Sequence, residues 1–151
     1  MNEVTIIFGT ETGNSEMVAD DLCISLEQKG ITGRVVGMED YDVEKLGQEA
    51  MAIMVTSTYG EGELPNTAQP FAEALETSKP DLSSMHFAAF GLGDSTYETY
   101  NRGIDTLIEK LVDLGATQVG LTGHHDADSG LDAAVVAVDW LKGIFVEAEA
   151  S

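Results

Sequence analysis

The chain has 151 residues, 43% of them hydrophobic, which is enough for a single domain over 1–151 with a real core. Its 27 acidic and 7 basic residues leave a formal net charge of -20, so nucleic acid and anionic membrane surfaces are poor partners, and a monomer is favoured. No apolar run approaches the roughly 18 residues that span a bilayer, and Met1-Asn2-Glu3 enters a strand-like run with no basic leader, so a soluble cytoplasmic chain is expected.

Val4 to Phe8 is a β-branched, apolar run suited to a buried parallel strand. The polar loop Thr10-Glu11-Thr12-Gly13-Asn14-Ser15 follows. From Asn14 to Lys29, Met17, Val18, Leu22 and Leu26 recur with a helical period, and Gly30 closes the helix. Cys23 lies in this helix beside Leu22 and Leu26 as a small packing residue. As the only cysteine it excludes a disulfide framework and a cysteine metal site within one chain.

A second strand runs over 32–36 and a third, fully apolar, over 51–56. The loop Ser57-Thr58-Tyr59-Gly60-Glu61-Gly62-Glu63 leads to a helix over 66–77, with Phe71, Ala72 and Leu75 on one face and Lys79-Pro80 as its stop. A fourth strand over 86–90 opens into Gly91-Leu92-Gly93-Asp94-Ser95-Thr96-Tyr97. Leu107, Ile108, Leu111 and Val112 mark an amphipathic helix over 104–114 that Gly115 ends. A short fifth strand spans 118–121. The last helix, over 131–145, presents Val135, Val138, Leu141 and Ile144 as its buried face. Alternating strands and helices imply right-handed βαβ units, a parallel sheet and an α/β fold.

Polar, glycine-rich loops after parallel strands form the rim where open α/β sheets bind ligands. The first loop offers hydroxyls from Thr10, Thr12 and Ser15, an amide from Asn14, and a glycine that lets the backbone come close. A helix N-terminus adds N–H donors and a dipole that favours an anion. No Lys or Arg occurs in residues 1–28, so a phosphate would be held by neutral donors. Both the Walker Gly-Lys-Ser/Thr end and the G-x-G-x-x-G fingerprint are missing. Taken alone, the loop fits a simple helix cap equally well. Tyr59 and Tyr97 are placed to stack on a flat ring, although each alone is read more easily as a surface aromatic. Gly60 permits a peptide flip at low cost. A phosphate and a flat ring at one sheet edge point to flavin mononucleotide and electron transfer. Glu61, Glu63, Asp94, Glu98, Asp126 and Asp128 crowd the same rim; they lack EF-hand spacing, and adjacent His124 and His125 point to opposite sides, so a solvated loop is expected over a metal site.

The three loops together resemble those of short-chain flavodoxins, along the whole length of the chain. Ser57 to Pro65 and Phe90 to Asn101 are especially similar to the FMN domains of diflavin reductases and to bacterial flavodoxins of the MioC and cindoxin kinds. The long insertion that splits the fifth strand in long-chain members is absent. The resemblance implies a flavodoxin-like three-layer sandwich around a five-stranded parallel sheet of order 2-1-3-4-5. It places the FMN phosphate on Thr10, Glu11, Thr12, Gly13, Asn14 and Ser15. It puts Tyr97 coplanar with one face of the isoalloxazine and Tyr59 tilted against the other. Gly60 then offers its carbonyl to flavin N5–H, beside Ser57 and Thr58. Leu92, Gly93, Asp94, Tyr100 and Asn101 line the ring and ribityl chain.

The implied role is an electron carrier with no substrate chemistry of its own. An NAD(P)H-dependent flavodoxin or ferredoxin reductase would be the donor. The acceptor would be a haem monooxygenase or another redox enzyme with a basic docking face. One alternative is a phosphoacceptor signalling module, but it requires an Asp ending strand three and a Lys after strand five, where the chain has Ser57-Thr58 and Gly123-His124. The other is a flavin-free interaction module on the same fold.

Overall fold

The structure, a computed structural model, describes residues 3–9, 13–57, 64, 67–93, 102–126 and 130–150. Strands β1 (Glu3–Gly9), β2 (Thr32–Gly37), β3 (Met51–Ser57) and β4 (His86–Gly93) are mutually parallel, and with β5 (Thr117–Gln118) they form a sheet of order β2-β1-β3-β4-β5. A further strand, β6 (Gly123–Asp126), also pairs in parallel with β4. Successive residues of the inner strands point to opposite faces, and both faces are covered. Ile6, Ile53 and Phe90 pack against Val18, Leu22 and Leu141 of α1 (Asn14–Gln28) and α4 (Ala133–Ala150). Ile7, Met54 and Phe87 pack against Phe71, Leu75, Leu107 and Leu111 of α2 (Gln69–Ser78) and α3 (Arg102–Asp113). The result is the expected three-layer α/β sandwich, and it explains why these strands are apolar throughout rather than alternating.

Several boundaries differ from the sequence pattern. β4 runs three residues further than the apolar stretch, through Gly91, Leu92 and Gly93, because β3 and β6 pair with it on either side. The fifth strand is not 118–121 but two pieces. Phe87 pairs with Gln118 and Phe90 with Gly123, so Ala88 and Ala89 stand opposite Val119, Gly120, Leu121 and Thr122. The two additional residues bulge outwards, leaving Leu121 87% exposed. Trp140 Nε1 holds the bulge by donating to the Leu121 carbonyl at 3.0 Å, and Gln118 Nε2 donates to Thr122 Oγ1 at 2.8 Å. The helix expected over 66–77 starts at Gln69, and two 3-10 turns, Met38–Asp40 and Val43–Gln48, connect β2 to β3.

Helix faces needed correction too. Val135, read as core, is 68% exposed, and Ala137, Leu141 and Ile144 are buried in its place. A series of i+3 steps drifts about 60° per step around a 3.6-residue helix, so Val135 and Ile144 cannot share one face. Met17 and Val112 are exposed as well, each about 100° around its helix from the buried Val18 and Leu111 beside it. Cys23 is half-buried; its thiol donates to Glu27 Oε1 at 3.3 Å, and burial pushes its pKa up.

Glu49, just before β3, ties three elements together. Its carboxylate accepts from Thr5 Oγ1 at 2.8 Å, Arg34 Nη2 at 3.0 Å and Tyr41 Oη at 3.0 Å. Thr5 is fully buried, so losing its acceptor leaves a desolvated hydroxyl unpaired. Glu49→Ala is therefore expected to cost about 1–3 kcal/mol. Glu76→Ala removes a pair between the exposed Glu76 and half-buried Lys110, leaves no fully buried group unpaired, and should cost about 1 kcal/mol or less. Urea unfolding of both variants checks this; equal losses would mean that Glu49 does not organise the β1–β3 end.

Candidate functional site

Parallel pairing carries the C-terminal ends of β1, β3, β4 and β6 to one edge of the sheet. Gly9 stands opposite Thr56, Ser57 opposite Leu92, and Gly93 opposite Asp126. The three loops picked out from the sequence leave the sheet from this edge.

Helix α1 begins here. Gly13, its N-cap, has φ 90° and ψ -6°, a left-handed conformation that glycine adopts at little cost, and it has no side chain with which to cap the helix. Met17 N donates to the Gly13 carbonyl at 3.1 Å. The N–H groups preceding Met17 have no acceptor within the helix, and they form the positive end of its dipole. Ser15 is fully buried in the first turn, and its Oγ makes no hydrogen bond. A buried hydroxyl without a partner is costly, and native structures rarely tolerate one outside a ligand site. Among the described residues, a Cβ built on Gly13 would meet nothing within 4 Å. N–H donors at a helix start and a buried, unpaired hydroxyl fit an anion of phosphate size. Asn14 is exposed beside them.

Of the other expected site residues, Ser57 ends β3 half-buried, its carbonyl accepting from Thr56 Oγ1 at 3.3 Å. Gly93 ends β4. Leu92 belongs to the core on the α1 and α4 side, with its side chain 6% exposed. Thr10, Glu11, Thr12, Thr58, Tyr59, Gly60, Asp94, Tyr97, Tyr100 and Asn101 lie outside the described residues, as do Glu61, Glu63, Glu98 and Asp128.

Asp126 closes β6 beside Gly93. His124 and His125, expected in a loop, are in β6 itself. His125 Nε2 lies 2.7 Å from the Leu131 carbonyl, while partial burial holds His124 below its ordinary pKa, with Asp105 pulling the other way. Among the described residues no three His, Cys, Asp or Glu side chains gather to hold a metal, and no helix is long and apolar enough to cross a membrane.

The sequence reading missed Gly9, which packs against Ala68, Met38 and Thr56 at the root of the first loop. A glycine ending an otherwise β-branched run was the available signal.

This arrangement defines a doubly wound α/β protein with a candidate anion site at its first βα turn. Comparison narrows the class. A family model described as Flavodoxin matches residues 6–138, and the chain belongs to the flavodoxin family. It is 37% identical over 122 residues to Protein MioC of Escherichia coli strain K12, covering 81% of this chain and 82% of that one. It is 33% identical over 143 residues to the sulfite reductase [NADPH] flavoprotein alpha-component of Bacillus subtilis, covering 94% of this chain but 23% of that one. Oxidised Flavodoxin 2 from Bacillus cereus superimposes with a TM-score of 0.84 at 29% identity, covering 97% of this chain and 99% of that one. The chain is thus a short-chain flavodoxin close to MioC and to diflavin-reductase FMN domains, and it is an FMN-binding electron-transfer protein.

The unpaired Ser15 hydroxyl gives a test that needs no cofactor. In the FMN-free protein, Ser15→Ala is expected to leave stability unchanged or raise it by about 1 kcal/mol, since the lost group makes no bond and is desolvated. Denaturant unfolding reads the difference. A loss above about 1 kcal/mol would show that Oγ is satisfied within the protein.

Proposed function

We propose that this chain carries single electrons on FMN from an NAD(P)H-dependent flavodoxin or ferredoxin reductase to an acceptor with a basic docking face, a haem monooxygenase or a comparable redox enzyme. The likeness to a sulfite reductase [NADPH] flavoprotein component and to an inducible nitric oxide synthase, 34% identical over 132 residues in Gallus gallus, supports that class of donor and acceptor. In those proteins the matching segment is a small part of a longer chain, 23% and 12% respectively. Bound FMN supplies the redox chemistry, and the protein supplies orientation and electrostatics.

The observation that carries this reading is the buried, unpaired Ser15 hydroxyl in the first turn of α1. Residues 10–15 hold the phosphate. Tyr59 and Tyr97 flank the ring, and Gly60 supplies a backbone able to turn either its carbonyl or its N–H toward it. Ser57, Thr58, Leu92, Gly93, Asp94, Tyr100 and Asn101 complete the contacts, Leu92 through its backbone because its side chain is packed in the core. The anion is held by neutral donors, so FMN affinity depends weakly on salt. The net charge of -20 steers a basic partner, so encounter depends on salt strongly.

FMN is expected to bind one molecule per chain and far more tightly than riboflavin, which lacks the phosphate. Ser15→Ala should weaken FMN by about tenfold while leaving riboflavin unaffected. Fluorescence titration measures both ligands; equal affinities, or equal losses, would contradict the phosphate assignment.

Raising ionic strength should slow reduction by a reductase while leaving FMN affinity nearly constant. A stopped-flow series that stays flat with salt would assign the acidity to solubility alone.

A further inference from the structure

A second concavity lies away from the α1 turn. Where β2 ends, the Met38–Asp40 turn folds against α2 and encloses a groove of about 290 Å³. Met38, Tyr41, Phe71 and Ala74 form its walls. Tyr41 and Phe71 meet edge to face with ring centroids 6.3 Å apart. The Tyr41 hydroxyl is held by Glu49, which fixes the ring as a wall and not a gate. Three carboxylates, Glu39, Asp42 and Glu44, line it, and among the described residues no Lys, Arg or His does. Asp42 is committed to the backbone N–H of Glu44. Glu39 and Glu44 are exposed, and neither forms a salt bridge among the described residues.

We propose that this groove receives an arginine or lysine side chain of a basic partner protein, the apolar stem lying on Tyr41 and Ala74 and the cationic head meeting Glu39 and Glu44. The volume sits at the lower end of the range for small-molecule sites, which starts near 300 Å³, and suits one long side chain. Apolar and aromatic walls with an acidic rim complement a cation on an aliphatic stem. A second copy of this chain, itself at -20, is repelled.

The groove's position gives the contact a use. A Cβ on Gly9 would lie 2.9 Å from Met38 Sδ, so the Met38 wall backs directly onto the strand end from which the phosphate loop departs. A partner anchored there is held at the cofactor edge of the sheet. The inference rests on the electron-carrier reading for the partner's being a redox protein, but the groove can be tested without one.

The probe is n-butylguanidinium, with butylurea as its neutral isostere, titrated into ¹⁵N-labelled FMN-loaded protein. Butylguanidinium is expected to shift the amides of Glu39, Tyr41, Glu44 and Ala74 in a saturable way, and butylurea is not. Glu39→Gln with Glu44→Gln should weaken the probe about fivefold. Ala74→Trp should fill the groove and abolish binding. Equal shifts from butylurea, shifts scattered over the acidic surface, or binding that survives both variants would overturn the proposal. A concentration-dependent dimer, seen by sedimentation and lost in Ala74→Trp, would overturn it in favour of a second copy. FMN uptake is scored separately: a protein that loads FMN but shows no such site contradicts this inference alone, and failure to load FMN contradicts the carrier reading.

Discussion

The end of β1 has no room for a side chain. A Cβ on Gly9 would stand 2.7 Å from Ala68 Cβ, 2.9 Å from Met38 Sδ and 3.1 Å from Thr56 Oγ1. Through that one close approach, β1 meets the start of α2, the turn after β2 and the end of β3. The four elements meet where the chain leaves the sheet for residues 10–13 and turns into α1. The N-terminus of α1 is thereby fixed against the sheet edge that also carries Ser57 and Gly93. Filling an interior contact of this kind costs on the order of 1–3 kcal/mol, and it would move the start of α1 along with the core.

The electrostatics follow from where the few cations are. The first 28 residues carry no Lys or Arg, and the candidate anion site offers backbone N–H groups, a helix dipole and a hydroxyl. Such donors recognise a phosphate without cancelling the protein's own charge. The -20 charge remains for long-range attraction of the basic partner proposed above, and on that reading cofactor and partner would be held by forces with different responses to salt. A Lys in the first loop would hold phosphate more strongly but would weaken the field that steers docking.

Much of this was legible in the sequence because the strongest patterns were local. The β-branched runs gave β1 and β3, Gly30 and Gly115 sit at φ 79° and 105° where they were expected to stop helices, and Phe71, Ala72 and Leu75 are buried together. What escaped was decided by distant partners. Gly123-His124-His125-Asp126 has no apolar alternation, and it is a strand because β4 pairs with it and because Gly123 leaves room for Trp140 and Phe90, either of which a Cβ there would meet at 2.6 Å. Leu121 looked like a strand residue and is instead the tip of a bulge pinned by Trp140, 19 residues away. In the candidate site, Gly13, Asn14 and Ser15 were singled out by type and spacing. That Ser15 is fully buried with an unpaired hydroxyl depends on how α1 lies on the sheet, which no local pattern encodes.

The central claim is that the first turn of α1 binds the FMN phosphate through its own N–H groups and Ser15. The most direct measurement is the ¹⁵N–¹H spectrum of the FMN-free protein titrated with FMN and, separately, with riboflavin. The account predicts large shifts of the Gly13, Asn14, Ser15 and Glu16 amides with FMN and little change there with riboflavin. Amides that ignore FMN, or that respond equally to both ligands, would contradict it.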